Sequence, residues 1–190
     1  IGGLMSSLSD MTSGANPWKG ADLGDFSLAI YDIEEVREAC LAAQDQLDAD
    51  VNVLLLCCWL AATGRGAVDA EDFARLSQAT SIWHTEVVKP LRAARRRLSK
   101  PPGSVSRRDA EAFRDQVANI ELKAEHIEQT VLTETIGRAP VVHNLEYWRR
   151  DMRQSLATYF TFIGASQTNL TESLITVLSE ACRSPAANPE

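Results

Sequence analysis

The stretch LRAARRRLSKPPGSVSRRDAEAF, residues 91–113, decides how the chain folds. It places a Pro-Pro-Gly-Ser break between two long amphipathic patterns. Upstream, from Asp69 onward, Phe73, Leu76, Thr80, Trp83 and Val87 recur at three- and four-residue steps, the spacing that lines one face of a helix. Downstream, Ser106 is placed to cap a helix, and Phe113, Val117, Ile120, Ala124, Ile127 and Val131 repeat the same spacing until Gly137. Each segment has room for a rod of about 45 Å. Two such rods around one short break are expected to fold back as an antiparallel hairpin over residues 69–136. Pro90 lacks an N–H and crowds the preceding turn, so a kink or a fresh helix start is expected there.

The same periodicity extends outward from the hairpin. Asp32 and Glu35 have capping-box spacing ahead of Ile33, Val36, Cys40, Ala43 and Leu47. VNVLLLCCWLAA, residues 51–62, is apolar on every side, has Asp50 available as its cap and stops before Gly64 and Gly66, which marks it as the central core helix. It is too short to cross a bilayer. A last pair follows: Leu145, Trp148, Met152, Leu156, Tyr159 and Ile163, then Leu174, Val177, Leu178 and Ala181 behind an Asn169/Glu172 capping box. The expected fold is all-α, a bundle of about six helices whose long antiparallel hairpin packs against the helices at 33–47 and 51–62. Residues 1–24 read as a flexible segment, 25–183 as one helical domain with 137–183 as a C-terminal appendage of it, and 184–190 as a disordered tail.

Composition bounds the function. The chain has 190 residues, 45% of them hydrophobic and 24% charged, which is enough for one domain with a sizeable core. Its formal net charge of −7 argues against non-specific nucleic-acid binding by the whole surface. The four cysteines, Cys40, Cys57, Cys58 and Cys182, show no CxxC spacing and belong with apolar neighbours, which implies a reducing compartment and no disulfide framework. The start has neither a basic nor an apolar region of the kind that directs secretion, so a cytoplasmic protein is expected.

Residues 89–108 carry eight basic side chains and no acid, whereas the rest of the chain carries 11 basic and 26 acidic residues. On a helical wheel Lys89, Arg92, Arg96 and Lys100 lie opposite Leu91 and Leu98, with Arg95 beside the seam and Arg97 on the far flank. Such a run is a solvated face that also complements a helix C-terminus, or a dock for an acidic protein partner built on arginine's planar fork. Nucleic acid is the weaker choice, and homo-oligomerisation through the long helices is a variant.

The carboxylates Glu121, Glu125 and Glu128 form a column at the edge of the second rod's seam. If the rods turn at residues 101–106, Glu121 lies level with His84, and Arg92 and Arg95 lie level with Glu111 and Arg114, which argues against a buried Arg–Glu cluster joining Arg95 to Glu125 within this pair. No Glu-x-x-His pair occurs, so no metal or other cofactor is expected. Gln44 and Asn52 sit among apolar neighbours and call for partners across helices. The alternative is a small-molecule or catalytic pocket in which Gln44, Asn52, His84 and Glu121 converge. Nucleophile and phosphate-loop motifs are missing, so catalysis has no sequence support.

The segments DFSLAIYDIEEVREACLAAQDQLDADVNVLLLCCWLAA, WHTEVVKPLRAARRRL and ELKAEHIEQTVL, in that order, resemble a small bacterial family catalogued only as a domain of unknown function, over about residues 25–132. Asp25 stands where that family is expected to carry an aromatic residue. The resemblance implies a cytoplasmic all-helical domain and no known reaction. The leading expectation is a non-enzymatic adaptor that meets an acidic partner through Lys89, Arg92, Arg95, Arg96, Arg97 and Lys100.

Overall fold

A computed structural model describes residues 17–139, 147–165 and 168–183; the expected tail at 184–190 and most of the loop at 137–143 lie outside them. The described residues form helices and no strand: α1 (Leu23–Tyr31), α2 (Glu34–Leu47), α3 (Val51–Ala62), α4 (Ala70–Trp83), α5 (Lys89–Leu98), α6 (Arg107–Ile136), α7 (Trp148–Phe162) and α8 (Asn169–Arg183). None of them is long and apolar enough to cross a membrane.

Local chemistry sets most helix ends. Asp50 accepts the Asn52 N–H at 2.9 Å and Ser106 accepts that of Asp109 at 3.1 Å, satisfying donors that a helix start leaves orphaned. Asp69 and Asp72 close a reciprocal capping box on α4. The box expected from Asp32 and Glu35 does not form. Asp32 instead ends α1, Ile33 precedes α2 without a side-chain cap, and Arg37 ties the corner by donating to Glu34 and to the Asp32 carbonyl. At α8, Thr168 and Thr171 exchange hydrogen bonds, which shifts the cap one residue ahead of Asn169.

Between α4 and α5 the rod continues through a π-turn, His84–Val88, in which the Lys89 N–H reaches back five residues to the His84 carbonyl. The proline explains it. A tight turn would press the Pro90 ring against the Glu86 carbonyl, and one extra residue per turn relieves that contact. The fresh start expected at Pro90 thus takes the form of a widened turn followed by α5.

The α4–α5 rod lies antiparallel against α6 as the expected hairpin. Trp83 Nε1 donates to the Ala124 carbonyl at 3.0 Å, and Arg75 reaches the Thr135 carbonyl nearer the open end. Every residue of α3 is buried, with α7, α1, α6, α2 and α8 around it. The helix α2 packs chiefly against α8 rather than the hairpin, laying Val36, Cys40 and Ala43 on a face that includes Leu174, Leu178 and Cys182. The core also extends toward the N-terminus past residue 25. Trp18 is buried edge-on against Phe26 and donates to the Cys182 carbonyl at 2.9 Å.

One expectation about α6 is overturned. Val117 and Ala124 are buried as the spacing implied, but Phe113, Ile120 and Ile127 are 56%, 52% and 49% exposed. The helix is rotated so that Glu121, Glu128 and Gln129 face inward beside Val117, Ala124, Leu132 and Ile136. Buried carboxylates are tolerable only with partners, and the facing helices supply them.

Candidate functional site

Two linked clusters of paired charge lie on the inner face of α6. In the first, Arg92 is only 8% exposed; its Nε donates to Glu121 at 3.3 Å and its Nη2 to Glu125 at 2.8 Å. Arg95 holds Glu121 through Nε and Nη2 at 2.5 and 3.1 Å. Burial raises the Glu125 carboxyl above its ordinary range, opposed by the Arg92 guanidinium.

In the second cluster, His84 Nδ1 lies 3.1 Å from Asp50 Oδ2 and 3.0 Å from Glu128 Oε1. The other oxygens of both carboxylates are also held. Asp50 caps α3, and Glu128 Oε2 accepts from Asn52 Nδ2 at 2.6 Å. Gln129 Nε2 in turn donates to Asn52 Oδ1 at 2.9 Å. Burial pushes the Asp50 carboxyl up to about 6, helped by the neighbouring Glu128 charge and opposed by His84. Burial alone would lower the His84 imidazole, but Glu128 and Asp50 hold it above its usual value.

These contacts correct the expected level of the hairpin. His84 meets Glu128 rather than Glu121, and Arg92 and Arg95 reach Glu125 and Glu121 rather than the region of Glu111 and Arg114. Helical side chains lean toward their own N-terminus, so in an antiparallel pair two long side chains lean toward each other from offset levels. A Cα-level alignment therefore misplaces Arg–Glu partners: a buried Arg–Glu cluster forms, with Arg95 on Glu121 and with Glu125 held by Arg92.

Of the expected cationic ridge, Arg92 is buried, Lys89 and Arg95 are half-buried, and Arg96, Arg97 and Lys100 remain exposed. Besides Arg92 and Arg95, Lys89 binds Asp48 at 2.7 Å and Arg96 binds Asp45 at 2.7 Å. Arg97 donates to the Lys100 carbonyl. Lys100 has no acidic partner among the described residues, and neither do Arg107 and Arg108 across the hairpin tip.

Over the first cluster opens a groove of about 1020 Å³ between α1, α2, the start of α3 and the middle of α6. Gln44, Asn52 and Glu121, three of the four residues expected to converge, line it; His84 lies behind Asn52, connected through Glu128. Leu28, Leu41 and Leu122 give the groove an apolar wall, and Tyr31, Arg92, Glu125 and Gln129 a polar floor. Beside that floor, Ser27 Oγ and Gln129 Oε1 are buried with no hydrogen-bond partner among the described residues. Leaving a buried polar atom unpaired costs about 1–3 kcal/mol, so two such atoms on one groove are an unusual concentration.

Sequence reasoning missed Ser27, Tyr31 and Gln129. The available signal for Ser27 was a hydroxyl set between Phe26 and Leu28 in a helix whose periodicity went unread; Gln129 carries no local signal. Residues 22–132 match the family described as a protein of unknown function (DUF2390), and the chain belongs to that family. The matched residues include the groove lining and both charge clusters. No curated protein and no solved structure matches the chain.

Proposed function

We propose that this protein binds a small amphipathic molecule in the groove between α1, α2 and α6. The orphaned Ser27 Oγ and Gln129 Oε1 carry this reading, because both adjoin a concave surface with an apolar wall and a charged floor. The ligand lays its apolar part on Leu28, Leu41 and Leu122 and turns its polar end to the floor formed by Tyr31, Arg92 and Glu125, beside which the Gln129 oxygen is buried. Arg92 and Arg95 are pre-set by Glu121 and Glu125, so the floor keeps its shape without the ligand.

The test is a thermal-shift screen of the full chain against small alcohols, amides and amines carrying alkyl or aryl groups. At least one class raises Tm in the wild type, and Ala118→Trp, which fills the groove, abolishes the shift while leaving the far-UV circular dichroism unchanged. A shift that survives Ala118→Trp contradicts the reading.

A second reading, the acidic-partner adaptor, retains support at the hairpin tip. Lys100, Arg107 and Arg108 lack carboxylate partners among the described residues, with Val105 exposed between them. Charge reversal at these three positions abolishes capture of an acidic partner if the tip is the dock; unchanged capture removes this reading.

A further inference from the structure

We propose that Asp50, His84 and Glu128 form a binding site for one divalent first-row transition-metal ion. The three come from separate elements, the cap of α3, the first residue of the π-turn and the inner face of α6. Each offers one donor atom, and the three atoms lie within 4.8 Å of one another. His84 Nδ1 stands 3.1 Å from Asp50 Oδ2 and 3.0 Å from Glu128 Oε1. Donors about 2.1 Å from a shared ion lie about 3.0 Å apart when the angle between them is a right angle, so this spacing suits ligands as well as hydrogen-bond partners.

Charge balance distinguishes the two uses. As a salt bridge, an imidazolium between two carboxylates leaves one negative charge over in the interior, and an uncompensated buried charge is costly. A divalent ion with a neutral imidazole and the same two carboxylates sums to zero. The adjoining arginines do not supply the missing charge, because Arg92 and Arg95 already face Glu121 and Glu125.

The surroundings fit a ligand set. Metal-binding carboxylates are commonly fixed by outer hydrogen bonds to the oxygen that does not face the ion. Here Glu128 Oε2 is held by Asn52, which Gln129 holds in turn, and Asp50 Oδ1 is held by the Asn52 N–H. His84 is the first residue of the π-turn that Pro90 imposes, and the turn fixes its place opposite Glu128. The Asp50 and His84 side chains keep 13% and 11% exposure, which leaves an ion a path in. One nitrogen and two carboxylate oxygens favour Zn²⁺, Co²⁺ or Mn²⁺ over Mg²⁺ and Ca²⁺, which take oxygen ligands.

The test is calorimetric titration of the EDTA-treated full chain with Zn²⁺, Co²⁺, Mn²⁺, Mg²⁺ and Ca²⁺ separately, with visible absorption for Co²⁺. One Zn²⁺ or Co²⁺ binds per chain, Co²⁺ develops ligand-field bands, and Mg²⁺ binds at least about tenfold more weakly. Glu128→Gln, nearly isosteric, weakens Zn²⁺ binding by more than about tenfold, as does His84→Asn; Glu180→Gln at the surface has no effect. Circular dichroism establishes that each variant is folded, and binding is scored on those that are. No Zn²⁺ or Co²⁺ binding by the folded wild type overturns the proposal, and so does equal binding of Mg²⁺ or full affinity in a folded His84→Asn chain.

Discussion

Arg92 crosses the hairpin to Glu125, placing its Nη2 2.8 Å from the carboxylate while its Nε engages Glu121. A residue from the most basic stretch of the sequence is thereby an internal strut, and the stability of the hairpin depends on it. Removing one partner of a buried pair leaves the other charge uncompensated, so Arg92→Met destabilises by about 3–5 kcal/mol. Adding Glu125→Leu to that chain restores part of the loss, because one orphaned carboxylate goes with its partner. Urea unfolding of the two variants measures both steps; a loss below about 1 kcal/mol for Arg92→Met would place the pair with ordinary surface ion pairs.

The rotation of α6 makes a prediction against its own hydrophobic pattern. Ile120→Ser changes stability by about 0.5 kcal/mol or less, as expected for an exposed position. Leu132→Ala, at a fully buried position on the same helix, costs about 2–5 kcal/mol. The reverse ranking in chemical denaturation contradicts the assigned face.

Acid stability depends on Asp72. Burial would raise its carboxyl, but the Asp69 N–H and the Arg75 and Arg138 guanidinium groups outweigh that and hold it below its ordinary value. A depressed carboxyl stabilises the fold above its unfolded-state pKa, and that contribution is lost as pH falls through the lower native value. Asp72→Asn is accordingly less stable than the wild type at neutral pH, and the gap narrows below about pH 4. Urea midpoints collected from pH 2 to 7 check this, and a gap that widens in acid refutes the assignment.

Cys40, Cys57, Cys58 and Cys182 are all buried, and burial pushes the Cys40 thiol up to about 12. The thiolate is the reactive form, so the native chain resists thiol reagents. Labelling by an aromatic disulfide should follow the unfolding rate; stoichiometric labelling within the mixing time of the native protein goes against it.

The hairpin, the core helix α3 and several caps were legible because each is written in local spacing: the break at Pro101–Ser106, the all-round apolar run and the Asp and Ser caps. Helix pairing was not local. Nothing in Val36, Cys40 and Ala43 names α8 as their cover. The orientation of α6 was misread because its exposed stripe, Phe113, Ile120 and Ile127, is more apolar than the face that is buried. Pattern reading assumes that carboxylates face water, and this helix turns them inward onto Arg92, Arg95 and His84. Gln44, Asn52 and Glu121 line one groove, whereas His84 sits behind it, because long side chains from antiparallel helices meet off level.

The central claim is that small molecules bind where Ser27 and Gln129 leave polar atoms unpaired. Fragment titration followed by amide NMR tests it most directly, since the side-chain amide signals of Asn52 and Gln129 report the groove floor. Binding fragments are predicted to shift those signals together with the backbone amides of Ser27 and Leu28, leaving the tip around Arg107 unmoved. Fragments that bind yet shift only residues outside the groove, or a folded chain that binds no fragment, would contradict the account.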